Sequence, residues 1–86
     1  MDTILIIQED PLSRNRLMQA LVDASYVVLE ARNIAEAVSI AREYDGKIDL
    51  LILENEPRNG DMSEIFTRTT GFHPQIRFLK TKEQNH

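Results

Sequence analysis

Two short acidic stretches are the places where this sequence could do chemistry. Asp49-Leu-Leu-Ile-Leu-Glu54-Asn-Glu56-Pro57 is a nearly unbroken apolar run that ends in two carboxylates and a proline. The second stretch, Gln8-Glu9-Asp10, follows the aliphatic run Ile4 to Ile7 and precedes Pro11. A continuous apolar run suits a strand buried on both faces, and in open α/β sheets ligands gather at the carboxyl ends of such strands. Glu54 is therefore the first residue of interest. Other chemistry finds little support. Ser13, Ser39 and Ser63 fall in helical stretches without a G-x-S-x-G elbow, and Gly46, Gly60 and Gly71 are isolated, so no phosphate-cradling loop forms. His73 and His86 have no second His or Cys at ligand spacing and are expected to be exposed.

The elements that would position these residues can be read in order. Thr3 to Ile7 is a buried strand, and Asp10 followed by Pro11 is a helix-start signal for Leu12 to about Ala24, whose apolar face is Leu17, Met18, Leu21, Val22 and Ala24. Tyr26 to Glu30 is a short strand. Asn33 caps a helix from Ile34 to Tyr44 that buries Ile34, Ala37, Val38 and Ala41, and Asp45-Gly46 is expected to end it through a positive φ at the glycine. The central strand Ile48 to Leu53 follows, then a loop from Asn55 to Asp61 and a helix from Met62 to Thr70. Its three threonines weaken that helix, and Gly71 is expected to stop it. In the last strand, Ile76 to Lys80, Ile76 and Phe78 face one way and Arg77 and Leu79 the other. The order βαβαβαβ predicts an α/β fold, an open parallel sheet with helices on both faces.

With this order in place, the sequence resembles the receiver domains of two-component response regulators. The resemblance rests on Ile-Leu-Ile-Ile-Gln8-Glu9-Asp10-Pro-Leu-Ser-Arg14, on Tyr26-Val-Val-Leu-Glu-Ala31 with Ala35-Glu-Ala37, and on Asp49-Leu-Leu-Ile-Leu-Glu54, and it covers essentially the whole chain. It implies a truncated, flavodoxin-like three-layer sandwich that ends after its fourth strand. It also implies a phosphoacceptor position at Glu54, an acidic pocket at Gln8 and Glu9, and a switch hydroxyl at Thr81. Each position departs from the family's pattern. Glu54 stands where the family has Asp, which moves the carboxylate by about 1 Å and spoils in-line attack. Gln8 replaces the first acidic residue, Pro57 comes three rather than four residues after the acceptor position, and no pairing lysine follows. A Mg²⁺ held by Glu9, Glu54 and the backbone carbonyl of Glu56 would be weak, and no cofactor is required. Glu54 is read either as a fixed imitation of a phosphorylated acceptor or as a carboxylate kept in a decayed pocket.

Composition sets the outer bounds. The 86 residues form one domain, taken as 1–81, with a polar tail at 82–86. A net charge of −4 with scattered basic residues argues against nucleic acid, and the late cluster Arg77, Lys80 and Lys82 reads as a solvated strand edge. No run approaches the roughly 18–20 apolar residues needed to span a bilayer, no secretory leader is visible, and the absence of cysteine fits the cytoplasm. The expectation is a non-catalytic pseudo-receiver that docks on a partner protein or dimerises through the surface left open by the missing C-terminal elements. The alternative is a residual Mg²⁺- or phosphoryl-responsive switch centred on Glu54.

Overall fold

The structure, a computed structural model of the chain, describes residues 2–54 and 62–81. Seven elements alternate along it: β1 (Thr3–Ile7), α1 (Pro11–Asp23), β2 (Val27–Ala31), α2 (Ile34–Glu43), β3 (Leu50–Glu54), α3 (Met62–Phe72) and β4 (Arg77–Thr81). The four strands form one parallel sheet in the order β2-β1-β3-β4. The expected open parallel α/β architecture is what the chain adopts.

Strand alternation divides the core into two layers. Leu5, Ile7, Leu51 and Leu53 meet Ala37 and Ala41 of α2 and Ile65 of α3 on one face. Ile4, Ile6 and Ile52 meet Leu17, Met18 and Leu21 of α1 on the other. Burial on both faces explains why β1 and β3 are continuous aliphatic runs, and each fully buried Leu or Ile contributes roughly 1.5–3 kcal/mol of transfer free energy. The alanines of α2 let its backbone sit close to the sheet. In α1, by contrast, Val22 and Ala24 are exposed, which narrows the expected apolar face to Leu17, Met18 and Leu21.

Local chemistry sets the helix ends. Asp10 caps α1, its Oδ2 accepting from the Ser13 N–H at 2.8 Å with Pro11 at the first helical position, and Asn33 caps α2 by accepting from the Glu36 N–H at 2.8 Å. After α1 the Ser25 N–H donates to the Val22 carbonyl and the Tyr26 N–H to the Leu21 carbonyl, with Ser25 at φ 73°. This is a Schellman motif with serine in the left-handed position that glycine usually fills. It uses the Tyr26 amide, so β2 begins at Val27 rather than at Tyr26.

Several boundaries differ from the sequence reading for similar reasons. Gly46 is outside the left-handed region, and α2 instead ends in an extended Tyr44 whose ring closes on the glycine's missing Cβ position at 2.8 Å. Helix α3 runs through Gly71 to Phe72. Its threonines are accommodated because Thr69 and Thr70 return their hydroxyls to the carbonyls of Ile65 and Phe66, at 2.6 and 2.7 Å. The longer helix carries His73 inward, correcting the expectation of an exposed ring: His73 is 8% exposed. Its Nε2 donates to the Ala41 carbonyl at 2.7 Å and its Nδ1 accepts from the Ile48 N–H at 3.4 Å. One imidazole thereby joins the end of α2, the approach to β3 and the end of α3. The expected loop from Asn55 to Asp61, the tail at 82–86 and His86 lie outside the described residues.

Candidate functional site

Parallel pairing brings the carboxyl ends of the strands to one rim. Ile7 pairs with Leu53, so the next residues along, Gln8 and Glu54, stand side by side, and Glu54 in turn pairs with Thr81 of β4. The rim thus unites three residues that are far apart in sequence. No secondary-structure pattern of one strand alone could have fixed the register of Thr81.

Gln8 is the most constrained of the three. It is 3% exposed, and its backbone N–H extends the ladder by donating to the Ala31 carbonyl at 3.0 Å. Its side-chain Oε1 accepts from the Asp10 N–H at 2.9 Å and its Nε2 donates to Glu54 Oε1 at 2.5 Å. The amide orientation is set by this network, because flipping it would oppose two acceptors at Glu54 and two donors at Asp10. A charge-assisted amide–carboxylate bond is therefore built into the position between the first and third strands.

Arg14 completes the arrangement on the β2 side and was not among the residues singled out by type and spacing. Its Nη1 donates to the Gln8 carbonyl at 3.0 Å, and its Nε lies 3.6 Å from Glu30 Oε1. The signal available in the sequence was only its position one helical turn after Asp10. Glu30, Arg14, Gln8 and Glu54 form a continuous polar line across the rim. Thr81 adjoins its far end, with an Oγ1 that is buried and, among the described residues, has no hydrogen-bond partner.

The remaining candidates are not drawn in. Glu9 is exposed, and among the described residues its carboxylate makes no hydrogen bond or ion pair. Asp10 serves as the α1 cap, and the Ser13 N–H that it accepts holds its carboxyl below the ordinary value of 3.8. Glu56 lies outside the described residues. Among the described residues no group of three or more His, Asp or Glu side chains is placed to hold a metal ion, and no helix is long and apolar enough to cross a membrane.

No protein-family profile and no curated protein sequence matches the chain. Solved structures do. The receiver domain of the hybrid histidine kinase CckA superposes with a TM-score of 0.74 at 27% identity, over 91% of this chain and 83% of that one. A response regulator receiver domain protein from Clostridium thermocellum superposes with a TM-score of 0.82 at 18% identity, over 95% of this chain and 65% of that one. The chain has the receiver-domain fold. A third receiver-fold neighbour, the Thermotoga maritima response regulator TrrA, was solved in complex with Mg²⁺ and BeF; it matches with a TM-score of 0.76 at 23% identity, over 100% of this chain and 73% of that one. The chain thus spans between 65% and 83% of the length of these three receiver-fold proteins. The fold is of the two-component signalling type, and Glu54 and Gln8 occupy the rim at the carboxyl ends of its third and first strands.

Proposed function

We propose that this chain is a non-catalytic pseudo-receiver: a protein–protein interaction module of the two-component, phosphorelay type that is not itself phosphorylated. The observation that carries the reading is the bond from Gln8 Nε2 to Glu54 Oε1. A receiver that accepts phosphoryl needs a free carboxylate at the end of its third strand and a cation beside it. Here a buried amide hydrogen, an electropositive group of the protein itself, faces that carboxylate instead. With the Gln8 amide as donor and Glu9 exposed, the donor set fits Mg²⁺ poorly, since this cation takes oxygen ligands in near-ideal octahedral geometry. Any Mg²⁺ held by Glu9, Glu54 and the Glu56 carbonyl is weak, and the module needs no cofactor.

The module acts in the cytoplasm by docking on a partner protein or on a second copy. A second reading is a residual Mg²⁺- or phosphoryl-responsive switch, and one observation favours it: the buried Thr81 hydroxyl opposite Glu54 has no partner among the described residues and can donate to an added group. The two are separated by incubating the protein with acetyl phosphate and Mg²⁺ and measuring its intact mass. No phosphoryl adduct is expected, and an adduct mapped to the rim would establish the switch.

A further inference from the structure

We propose that a cleft at the amino-terminal rim of the sheet is a docking site for one arginine side chain of a partner protein. The cleft measures about 360 Å³ and lies between the turn that joins α2 to β3 and the turn that joins α3 to β4. Both turns are internal segments of the described chain, at the rim opposite Glu54 and Thr81. The volume is near the lower bound of the roughly 300–1,000 Å³ typical of ligand pockets, which suits one anchoring side chain rather than a large cofactor. Its apolar lining comes from Ile48, Phe72 and Pro74, and Phe72 is 45% exposed, so its ring remains accessible to a ligand. His73 also lines the cleft, but Nε2 donates to the Ala41 carbonyl and Nδ1 accepts from the Ile48 N–H, so the ring as bonded carries no charge.

The polarity of the cleft selects a cation. Asp45 lines it, and among the described residues its carboxylate makes no hydrogen bond or ion pair. The carboxyl ends of α2 and α3 lead directly into the two turns, and a helix carries roughly half a unit of negative charge at that end. Arg42 answers this in the last turn of α2, whereas α3 has no basic residue in its last turn. Lys47 is the cation in the lining, and its Nζ lies 3.5 Å from Asp49 Oδ1, which offsets its charge. An arginine side chain matches each of these features. Its stem can lie along apolar surface, and its planar guanidinium can both stack on an aromatic ring and pair with a carboxylate through two N–H groups. A lysine ammonium is a strongly hydrated point charge and gains less from Phe72. Arginine is also enriched among the side chains that anchor protein interfaces.

This inference rests on the reading of the chain as a docking module, and the test is arranged so that the two fail separately. The probe is a capped pentapeptide with arginine at the centre of four alanines, titrated into the full chain and followed by amide chemical shifts. A saturable shift of Gly46, Ile48 and Phe72 is expected. The same peptide with lysine, or with citrulline, which keeps the shape and loses the charge, should bind about threefold or more weakly. Asp45→Asn and Phe72→Leu should each weaken binding about threefold to tenfold. Lys47→Gln removes the competing cation and should tighten binding about twofold. All three positions are exposed, so these substitutions leave the core in place. Absence of a shift, equal binding of the lysine or citrulline peptide, or shifts confined to another surface would overturn the inference. Tighter binding of free arginine than of the peptide would overturn it too, by marking a small-molecule site. Repeating the titration in Mg²⁺ and beryllofluoride keeps the two readings apart, because Gln8, Glu54 and Thr81 report on the opposite rim. Shifts there with the cleft unchanged would remove the unswitched reading and leave the docking site standing.

Discussion

Replacing Gln8 by glutamate tests the rim directly, because it changes one donor to an acceptor with almost no change of shape. The Asp10 N–H keeps its acceptor, but the 2.5 Å bond to Glu54 is replaced by two carboxylates at the same separation. Losing a hydrogen bond to a charged group costs about 1.5–3 kcal/mol, and the like-charge contact adds to that. We expect Gln8→Glu to destabilise the domain by about 2–3 kcal/mol at neutral pH, a large share of the roughly 5–10 kcal/mol available to a domain of this size. The melting temperature should fall by on the order of 10 °C or more. The same change creates a paired-carboxylate site. If its affinity for Mg²⁺ is millimolar, a tenfold excess of the ion should return about 1.4 kcal/mol by binding only the folded state. Acidification should help the variant as well, since one protonated carboxyl can donate where the amide did. The assay is urea unfolding of wild type and variant with and without Mg²⁺. Equal stability of the two proteins, or Mg²⁺ stabilising the wild type as much as the variant, would refute the view that the Gln8 amide takes the place of a cation.

Other consequences follow from local geometry. Ser25→Gly should raise stability by about 0.5–1 kcal/mol in thermal or urea unfolding, because serine holds φ 73° in the cap after α1. Gly71→Ala should do so by a similar amount, since an added Cβ in this helical position meets nothing within 4 Å. His73→Leu should cost about 2–3 kcal/mol by leaving the Ala41 carbonyl and the Ile48 N–H without a partner. The carboxyls of Asp10 and Asp49 are held below the ordinary 3.8 by the backbone N–H groups of Ser13 and Thr3, and that of Glu36 below 4.5 by the backbone N–H of Arg32. Groups lowered in the folded state stabilise it above their unfolded values. Stability should therefore be flat above about pH 5 and be lost as pH falls through and below 4.5–3.8, with a shallower loss in Asp49→Asn when unfolding is followed from pH 6 to 3.

The sheet was legible because its evidence is local and redundant. The aliphatic runs of β1 and β3, the Asp10-Pro11 and Asn33 caps and the alanine stripe of α2 each satisfy both their own geometry and the layer they pack in. What could not be read depended on contacts between distant segments. Gly71 looks like a stop signal in isolation, but burial of Ile65 and Thr69 holds α3 in place past it. His73 looked like an exposed turn residue because its partners, Ala41 and Ile48, lie 32 and 25 positions away. At the rim, residue types marked Gln8 and Glu54 as altered positions. Only the strand register shows that the two are bonded to each other, that Arg14 buttresses them, and that Thr81 adjoins Glu54.

The most direct test of the central claim is the amide NMR spectrum of the wild-type protein in Mg²⁺ and beryllofluoride. If the Gln8 amide already occupies the electropositive position beside Glu54, the resonances of Gln8, Glu54 and Thr81 stay where they are in buffer alone. A saturable shift of those three amides would show that the site still takes up a cation and a phosphoryl analogue, and the pseudo-receiver reading would be wrong.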